Sequence, residues 1–172
     1  LNKVMTSSNH LLSLINDILD LTKIEVGMMD LFIEEVDMNA ALNASISTAK
    51  GLVKEKDIEL RVDIEDDLPH IVGDKRRIRQ IMLNLISNAV KFTTEGSVSI
   101  TARREGDAIY LAVADTGIGI PEDQRDVIFE TFRQAKHDLP EVPGTGLGLP
   151  IAKHFVEAHG GQMWFDSEVG VG

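Results

Sequence analysis

Cysteine is absent from the 172 residues. That absence excludes a disulfide scaffold, a thiolate zinc site and a cysteine nucleophile together. Long apolar runs are missing too, since none approaches the roughly 18 to 20 residues that span a bilayer. No secretory signal opens the chain, which begins polar and then turns amphipathic. Basic charge is in short supply: 17 Lys and Arg face 28 Asp and Glu, for a net charge of −11. A nucleic-acid surface should be basic, so that class of partner is excluded. Internal repeats and low-complexity tracts are also lacking. What remains is a chain 43% apolar, ordinary for a globular protein of one domain with a short appendage.

The few basic residues are clustered. Residues 74–104 hold 7 basic and 2 acidic side chains between acidic flanks at 1–73 and 105–172. Such an island can attract an anionic ligand at close range, although a solvated helix face has the same signature.

Periodicity organises the chain. Val4, Ser8, Leu11, Ile15, Ile18 and Thr22 alternate steps of four and three, and Leu12, Leu14, Leu19 and Leu21 widen the stripe. The spacing predicts a helix over 4–25 that needs partner helices, completed by another chain or by sequence outside this one. Gly27 is its expected stop. A short strand follows at 31–37, then a helix capped by Asp37 to about Glu55, and a half-buried strand over 58–64. Pro69 and Gly73 punctuate a connection. Asp74 caps a helix to about Phe92, with Ile78, Ile81, Met82, Leu85 and Ala89 on one face. Two strands meet at the Gly106-Asp107 turn. Pro121 starts a short helix, residues 133–145 read as a mobile loop, and a last helix covers about 147–159. Met163 and Phe165 are expected to begin a closing strand. The expected fold is α+β: a two-layer sandwich of mixed, mostly antiparallel sheet with about three helices on one face.

Four segments carry candidate chemistry. In Asn84-Leu-Ile-Ser-Asn88-Ala-Val-Lys91-Phe92, the residues Asn84, Asn88 and Lys91 share one helix face. Amide oxygens can ligate a hard cation and an ammonium can meet a phosphate, but the same face could simply be hydrated. Asp115-Thr-Gly117-Ile-Gly119-Ile120 follows a strand. Its carboxylate could accept from an exocyclic amine beside a thin glycine wall, or the segment could be only a tight turn. Phe129 and Phe132 stand ahead of the loop as core anchors or cofactor contacts. Gly144-Thr145-Gly146-Leu147-Gly148-Leu149 opens a helix, where bare N–H groups form an anion site. It has neither the Lys-Ser/Thr of a P-loop nor a Rossmann setting.

In this order the segments resemble the N, G1, F and G2 boxes of the sensor histidine kinase ATP-binding domain, of the superfamily shared with Hsp90, DNA gyrase B and MutL. Residues 10–27 resemble the second helix of the kinase dimerisation and phosphotransfer hairpin. The resemblance divides the chain into hairpin helix (1–29) and ATP-binding domain (30–172) of Bergerat-type fold. It implies ATP and Mg2+ as cofactors, with Asn88 as the magnesium ligand and Asn84 near the phosphates. Lys91 would neutralise phosphate charge, Phe92 would pack beside the nucleotide, and Asp115 would take the adenine amino group against Gly117, Gly119 and Ile120. Gly144, Gly146 and Gly148 would wrap the triphosphate, with Thr145, Leu147 and Leu149 beside them and Phe129 and Phe132 anchoring the lid. The implied chemistry is γ-phosphoryl transfer to a hairpin histidine and relay to the aspartate of a response-regulator receiver domain. The implied assembly is a homodimer through the hairpin, facing the cytoplasm, with any membrane anchor outside this segment.

The chain also departs from the family pattern. Lids in the family often carry an arginine where this chain has Leu139-Pro-Glu-Val-Pro143, so Arg133 or Lys136 is expected to serve instead. Pro150 stands where a small residue is usual. Gln80 replaces the carboxylate that activates water in Hsp90-like ATPases, which disfavours a clamp-type ATPase. None of His10, His70, His137, His154 and His159 has the phosphoacceptor context. The chain is therefore expected to be trimmed at both ends, binding ATP with no residue to phosphorylate in cis. The alternative is a degenerate kinase that signals by holding nucleotide.

Overall fold

The computed structural model describes residues 2–54, 56–133 and 145–172. Helix α1 (Asn2–Glu25) ends where the sequence places its stop. Gly27 adopts φ +67°, and the Met28 and Gly27 N–H groups donate back to Lys23 O (2.9 Å) and Ile24 O (3.0 Å). This paired closure satisfies carbonyls that a helix end would otherwise leave open. The broad apolar stripe of α1 stays open: Leu11, Leu12 and Leu19 are each more than half exposed, and Ile15 and Ile18 nearly so. Among its described side chains those of the last turns pack, through buried Asp20 and Leu21 and neighbouring Ile24.

Strand β1 (Glu34–Val36), helix α2 (Met38–Val53) and strands β2 (Asp57–Ile64) and β3 (Ile71–Gly73) follow. Then come α3 (Lys75–Phe92), β4 (Glu95–Glu105), β5 (Ala108–Asp115), two short 3-10 turns and α4 (Gly148–Ala158). The main sheet runs β2-β4-β5, with β2 parallel to β4 and β4 antiparallel to β5. Helices α2 and α3 cover it over a core of Leu42, Ile46, Met82, Ile86, Val98 and Ile100. Helix α4 packs on α3 and the base of α1 around Ile81, Leu147, Ile151 and Phe155. A small second sheet pairs β1 with β3, Glu34 opposite Gly73 and Val36 opposite Ile71.

Three expectations need correction. The strand read at 31–37 is only three residues long. The stretch read as a connection around Gly73 supplies its partner. Residues 162–168 alternate in exposure as a strand would, but no strand forms there. Their neighbours' polar groups serve a turn instead: Ile120 N–H donates to Ser167 Oγ (2.8 Å), and Gly170 N–H donates to Ile118 O (2.9 Å). Trp164 and Phe165 then go to different surfaces, toward Tyr110 and Phe129 respectively. The loop expected at 133–145 lies outside the described residues except at its ends.

Both long helices of the domain start at the aspartates the sequence selects. Asp37 Oδ1 accepts from Ala40 N–H at 2.9 Å. Buried Asp74 does more: one carboxylate oxygen accepts from Arg76 and Arg77 N–H, and the other accepts from Phe32 N–H at 2.9 Å. Its own N–H donates to His159 Nε2 at 2.9 Å. With His159 Nδ1 2.6 Å from Phe155 O, the imidazole carries its proton on Nδ1 and stitches the end of α4 to the start of α3. A Cβ at Gly73 would stand 2.9 Å from that ring, so glycine is required there.

Burial raises the Asp74 carboxyl, but the backbone donors Phe32, Arg77 and Arg76 and the Arg77 charge outweigh it, so the group lies below the ordinary carboxylate range. A depressed folded pKa gives stability that is complete above the ordinary value near ~3.9 and is lost as pH falls through the folded value. Asp74→Ala is expected to lower stability by roughly 2 kcal/mol at neutral pH. Urea melts should show the gap to wild type narrowing only below about pH 4.

Candidate functional site

Helix α3 brings the first three candidates to one face. Asn84 is committed within the protein: its Nδ2 donates to Gly148 O at 3.0 Å. That bond joins the middle of α3 to the first residue of α4 and leaves the Asn84 amide oxygen available. Asn88, one turn on, is half-buried and its amide has no hydrogen bond with any described residue. Lys91 stands 4.7 Å over the Phe92 ring and pairs with no carboxylate among the described residues. Burial pushes its ammonium below the ordinary lysine range. A half-desolvated cation without a counter-ion is poised to receive an anion.

The glycine segment after β5 closes on the end of the same helix. Ile118 N–H donates to Phe92 O. A Cβ on Gly117 would lie 2.9 Å from the Phe92 carbonyl carbon and 2.7 Å from Asp115 Oδ1. Asp115 Oδ1 accepts from Gly117 N–H at 2.9 Å, which orients the carboxylate and leaves its second oxygen without a described partner. Thr116 fixes the turn from behind, its Oγ1 accepting from Ser97 N–H at 2.9 Å. Gly119, at φ +67°, admits the backbone of Glu168 and Val169; a Cβ there would meet the Glu168 carbonyl carbon at 2.6 Å. Ile120 is held by Ser167 through its N–H.

At the opposite side the second glycine segment runs into α4. Thr145 Oγ1 accepts from Leu147 N–H at 3.1 Å. Leu147 is 1% exposed and anchors the segment in the α3–α4 core, while Leu149 is half-buried. Gly146, at φ +69°, rests on Arg133: a Cβ would come within 2.9 Å of Arg133 N. Phe129 packs on Phe165 at 5.7 Å and receives the Lys153 ammonium at 4.7 Å. Phe132 is exposed with φ +63°, so among the described residues Phe129 is the one of the two that packs. Arg133 pairs with Glu130 at 3.0 Å on the surface. Lys136 and Gly144 lie outside the described residues.

Asn84 is thus tied to Gly148 and the Asp115–Gly117 turn to the end of α3, while Asn88 and Lys91 lie along α3 between those two contacts. Among the described residues no group of three or more His, Cys, Asp or Glu could hold a metal by itself. A cavity of about 440 Å3 opens at the other end of α3, lined by Asp30, Phe32, Glu34, Asp74, Arg76 and Arg77, away from the glycine segments. Sequence reasoning missed Ser97, Thr116 and Ser167, whose partners are too distant along the chain for spacing to reveal.

Residues 73–172 match the family described as histidine kinase-, DNA gyrase B- and HSP90-like ATPase. The circadian input-output histidine kinase CikA of Synechococcus elongatus is 40% identical over 170 residues, 96% of this chain and 22% of its own length. The full-length ShkA structure in complex with AMPPNP superposes with a TM-score of 0.75 at 37% identity, covering 90% of this chain and 32% of that one. A mycobacterial sensor histidine kinase, MprB, gives 0.61 at 30% identity, over 74% of this chain and 80% of that one. The chain spans about a fifth of the length of the curated relatives it matches. No described helix is long and apolar enough to cross a membrane.

The close approach at Gly117 and the open space around Gly51 in α2 predict opposite signs for one substitution. Gly117→Ala should destabilise by about 1 to 3 kcal/mol through overpacking. Gly51→Ala should stabilise by roughly 0.5 to 1 kcal/mol through helix propensity. Urea melts of the two variants beside wild type check both.

Proposed function

The chain belongs to the histidine kinase-, DNA gyrase B- and HSP90-like ATPase family, and from that premise we propose that it catalyses transfer of the γ-phosphoryl group of ATP to a histidine on a hairpin helix. Residues 1–29 are the second helix of that hairpin and residues 30–172 the ATP-binding domain. The onward acceptor is the aspartate of a response-regulator receiver domain, and the whole protein dimerises through the hairpin. A user of ATP of this kind faces the cytoplasm.

The observation that carries the reading is the arrangement around α3. An amide with no hydrogen bond to a described residue (Asn88) and a half-desolvated ammonium that pairs with no described carboxylate (Lys91) stand between two glycine segments, each bonded to the same helix. The Asp115 carboxylate reads the adenine amino group with its free oxygen, and Gly117 keeps the wall thin enough for the base. Lys91 and the N–H groups at the start of α4 meet the phosphates. Asn88 would hold Mg2+, which would supply charge neutralisation for the phosphates when bound. Phosphoryl transfer through a loose transition state asks the protein for positioning and charge balance more than for covalent chemistry. Gln80, where Hsp90-like ATPases carry a carboxylate, favours transfer over hydrolysis; its amide is engaged with Arg77 at 2.9 Å and Asp20 at 3.1 Å.

Asp115→Ala is expected to weaken ATP binding at least tenfold, about 1.4 kcal/mol; unaltered affinity by calorimetry sinks the adenine assignment. Asn88→Ala should abolish Mg2+-dependent phosphohistidine formation on a separately supplied hairpin while leaving most nucleotide affinity. Equal loss of both would mark Asn88 as structural. Arg133→Ala and Lys136→Ala test which cation serves the missing lid arginine. The one that does should slow transfer at least tenfold, read as incorporation of labelled phosphate.

A further inference from the structure

Lys56, in the turn between α2 and β2, carries an ammonium that no step of the transfer uses. Its backbone N–H donates to Val53 O at 3.0 Å and turns the chain out of α2. The ammonium reaches the other way, donating to the carbonyls of Val90 and Thr93, the second at 3.3 Å. Sheet register explains that reach. Strand β2 runs parallel to β4 with Asp57 opposite Glu95, so the residue entering β2 lies beside the residues leaving α3. Among the described residues Lys56 pairs with no carboxylate. Its positive charge is therefore directed at backbone carbonyls.

Those carbonyls belong to the end of α3, where Lys91 and Phe92 stand. A helix leaves its final carbonyls unpaired and gathers negative potential there. In α3 this end is closed from three directions. Thr93 N–H returns to Ala89 O at 3.1 Å, Ile118 N–H reaches Phe92 O at 3.4 Å, and Lys56 takes Val90 O and Thr93 O. Of these three donors, Lys56 is the one that brings a full charge. The half-desolvated ammonium of Lys91 is the group offered to phosphate on the same turn. An anion approaching it also meets the carbonyl end of the helix and is repelled, more strongly the more phosphates it carries. A cation seated on the carbonyls removes that repulsion without occupying the site.

We propose that Lys56 is a positioning residue for the nucleotide: by neutralising the C-terminal end of α3, it sets how strongly phosphate charge is retained. It touches neither nucleotide nor acceptor and acts through Val90 O and Thr93 O. This rests on the nucleotide-binding reading above. The adenine contact at Asp115 does not depend on it, whereas the affinity gained from each added phosphate does. A lysine that only braced the turn would affect all adenine nucleotides alike.

Affinities of ATP, ADP and AMP separate the two roles. They are measured without added Mg2+, by competition against a fluorescent adenine nucleotide. Lys56→Met should weaken ATP at least fivefold, AMP less than twofold and ADP by a factor between. Lys56→Gln keeps an amide donor for the carbonyls but no charge, and should behave like Lys56→Met. Lys56→Arg keeps the charge and should hold every affinity within twofold of the parent. Phosphohistidine formation on a supplied hairpin should show the loss in KM, with kcat within threefold of the parent. Lys56 is exposed, so these variants should fold. If thermal melting shows otherwise for Lys56→Met, the comparison of Lys56→Gln with Lys56→Arg serves in its place. Weakening by one common factor for the three nucleotides overturns the proposal and marks Lys56 as a brace. Unchanged ATP affinity in the uncharged variants overturns it too, as does a loss carried by kcat. A parent chain that binds none of the three overturns the nucleotide reading itself, and the role of Lys56 with it.

Discussion

Asn84 and the carbonyl of Gly148 meet at 3.0 Å, and most of the site's geometry hangs on that bond. It ties the middle of α3 to the first residue of α4, so the glycine segment entering α4 cannot drift from the face bearing Asn88 and Lys91. At the end of α3, the Phe92 carbonyl accepts from Ile118 N–H and presses on Gly117. At its start, Asp74 and His159 fasten the far end of α4. The helix is thereby fixed near both termini and at its centre. A site that works by positioning requires that kind of support more than it requires reactive side chains.

The end of α3 also shows how local electrostatics assist. Lys56 reaches across from the approach to β2, and its ammonium donates to the carbonyls of Val90 and Thr93. These are carbonyls that a helix leaves unpaired, at the negative end of its dipole. The lysine thus offsets negative potential close to Lys91, where a triphosphate would otherwise meet it. Thr93 is fully buried, and its hydroxyl is the one buried side-chain polar atom among the described residues without a partner.

Legibility followed the range of the interactions. Asp37 and Asp74 were readable as caps because a cap and its partners lie within three residues. The sheet strands 57–64, 95–105 and 108–115 were readable from alternation, and the N-box face from helical spacing. The β1–β3 ladder was not, since three-residue strands carry no periodicity and their register is set by the Asp74–Phe32 contact 42 residues apart. The alternation of residues 162–168 was real but misled, because alternation reports which side faces the core and says nothing about where the backbone groups bond. Asp20 and Arg77 were not singled out, since only tertiary packing buries them, and Gln80 was noticed only for standing where a carboxylate would serve hydrolysis. Asn84 was placed near the phosphates by likeness, whereas its amide nitrogen turns out to be spent on Gly148.

The parallel pairing of β2 with β4 has a consequence for how the chain is made. Asp57 lies opposite Glu95, 38 positions later, with all of α3 between them. At ribosomal speeds of 5 to 20 residues per second, β2 waits about two to eight seconds for its neighbour. During that interval its hydrogen-bonding edge is bare, and Glu59, Arg61 and Asp63 along it act as deterrents to premature association. Helix α3, capped locally at Asp74, can fold on emergence and offer Ile78, Met82 and Ile86 as the surface on which β4 aligns. The helix that bears Asn84, Asn88 and Lys91 is thus also a surface on which the sheet can assemble during synthesis.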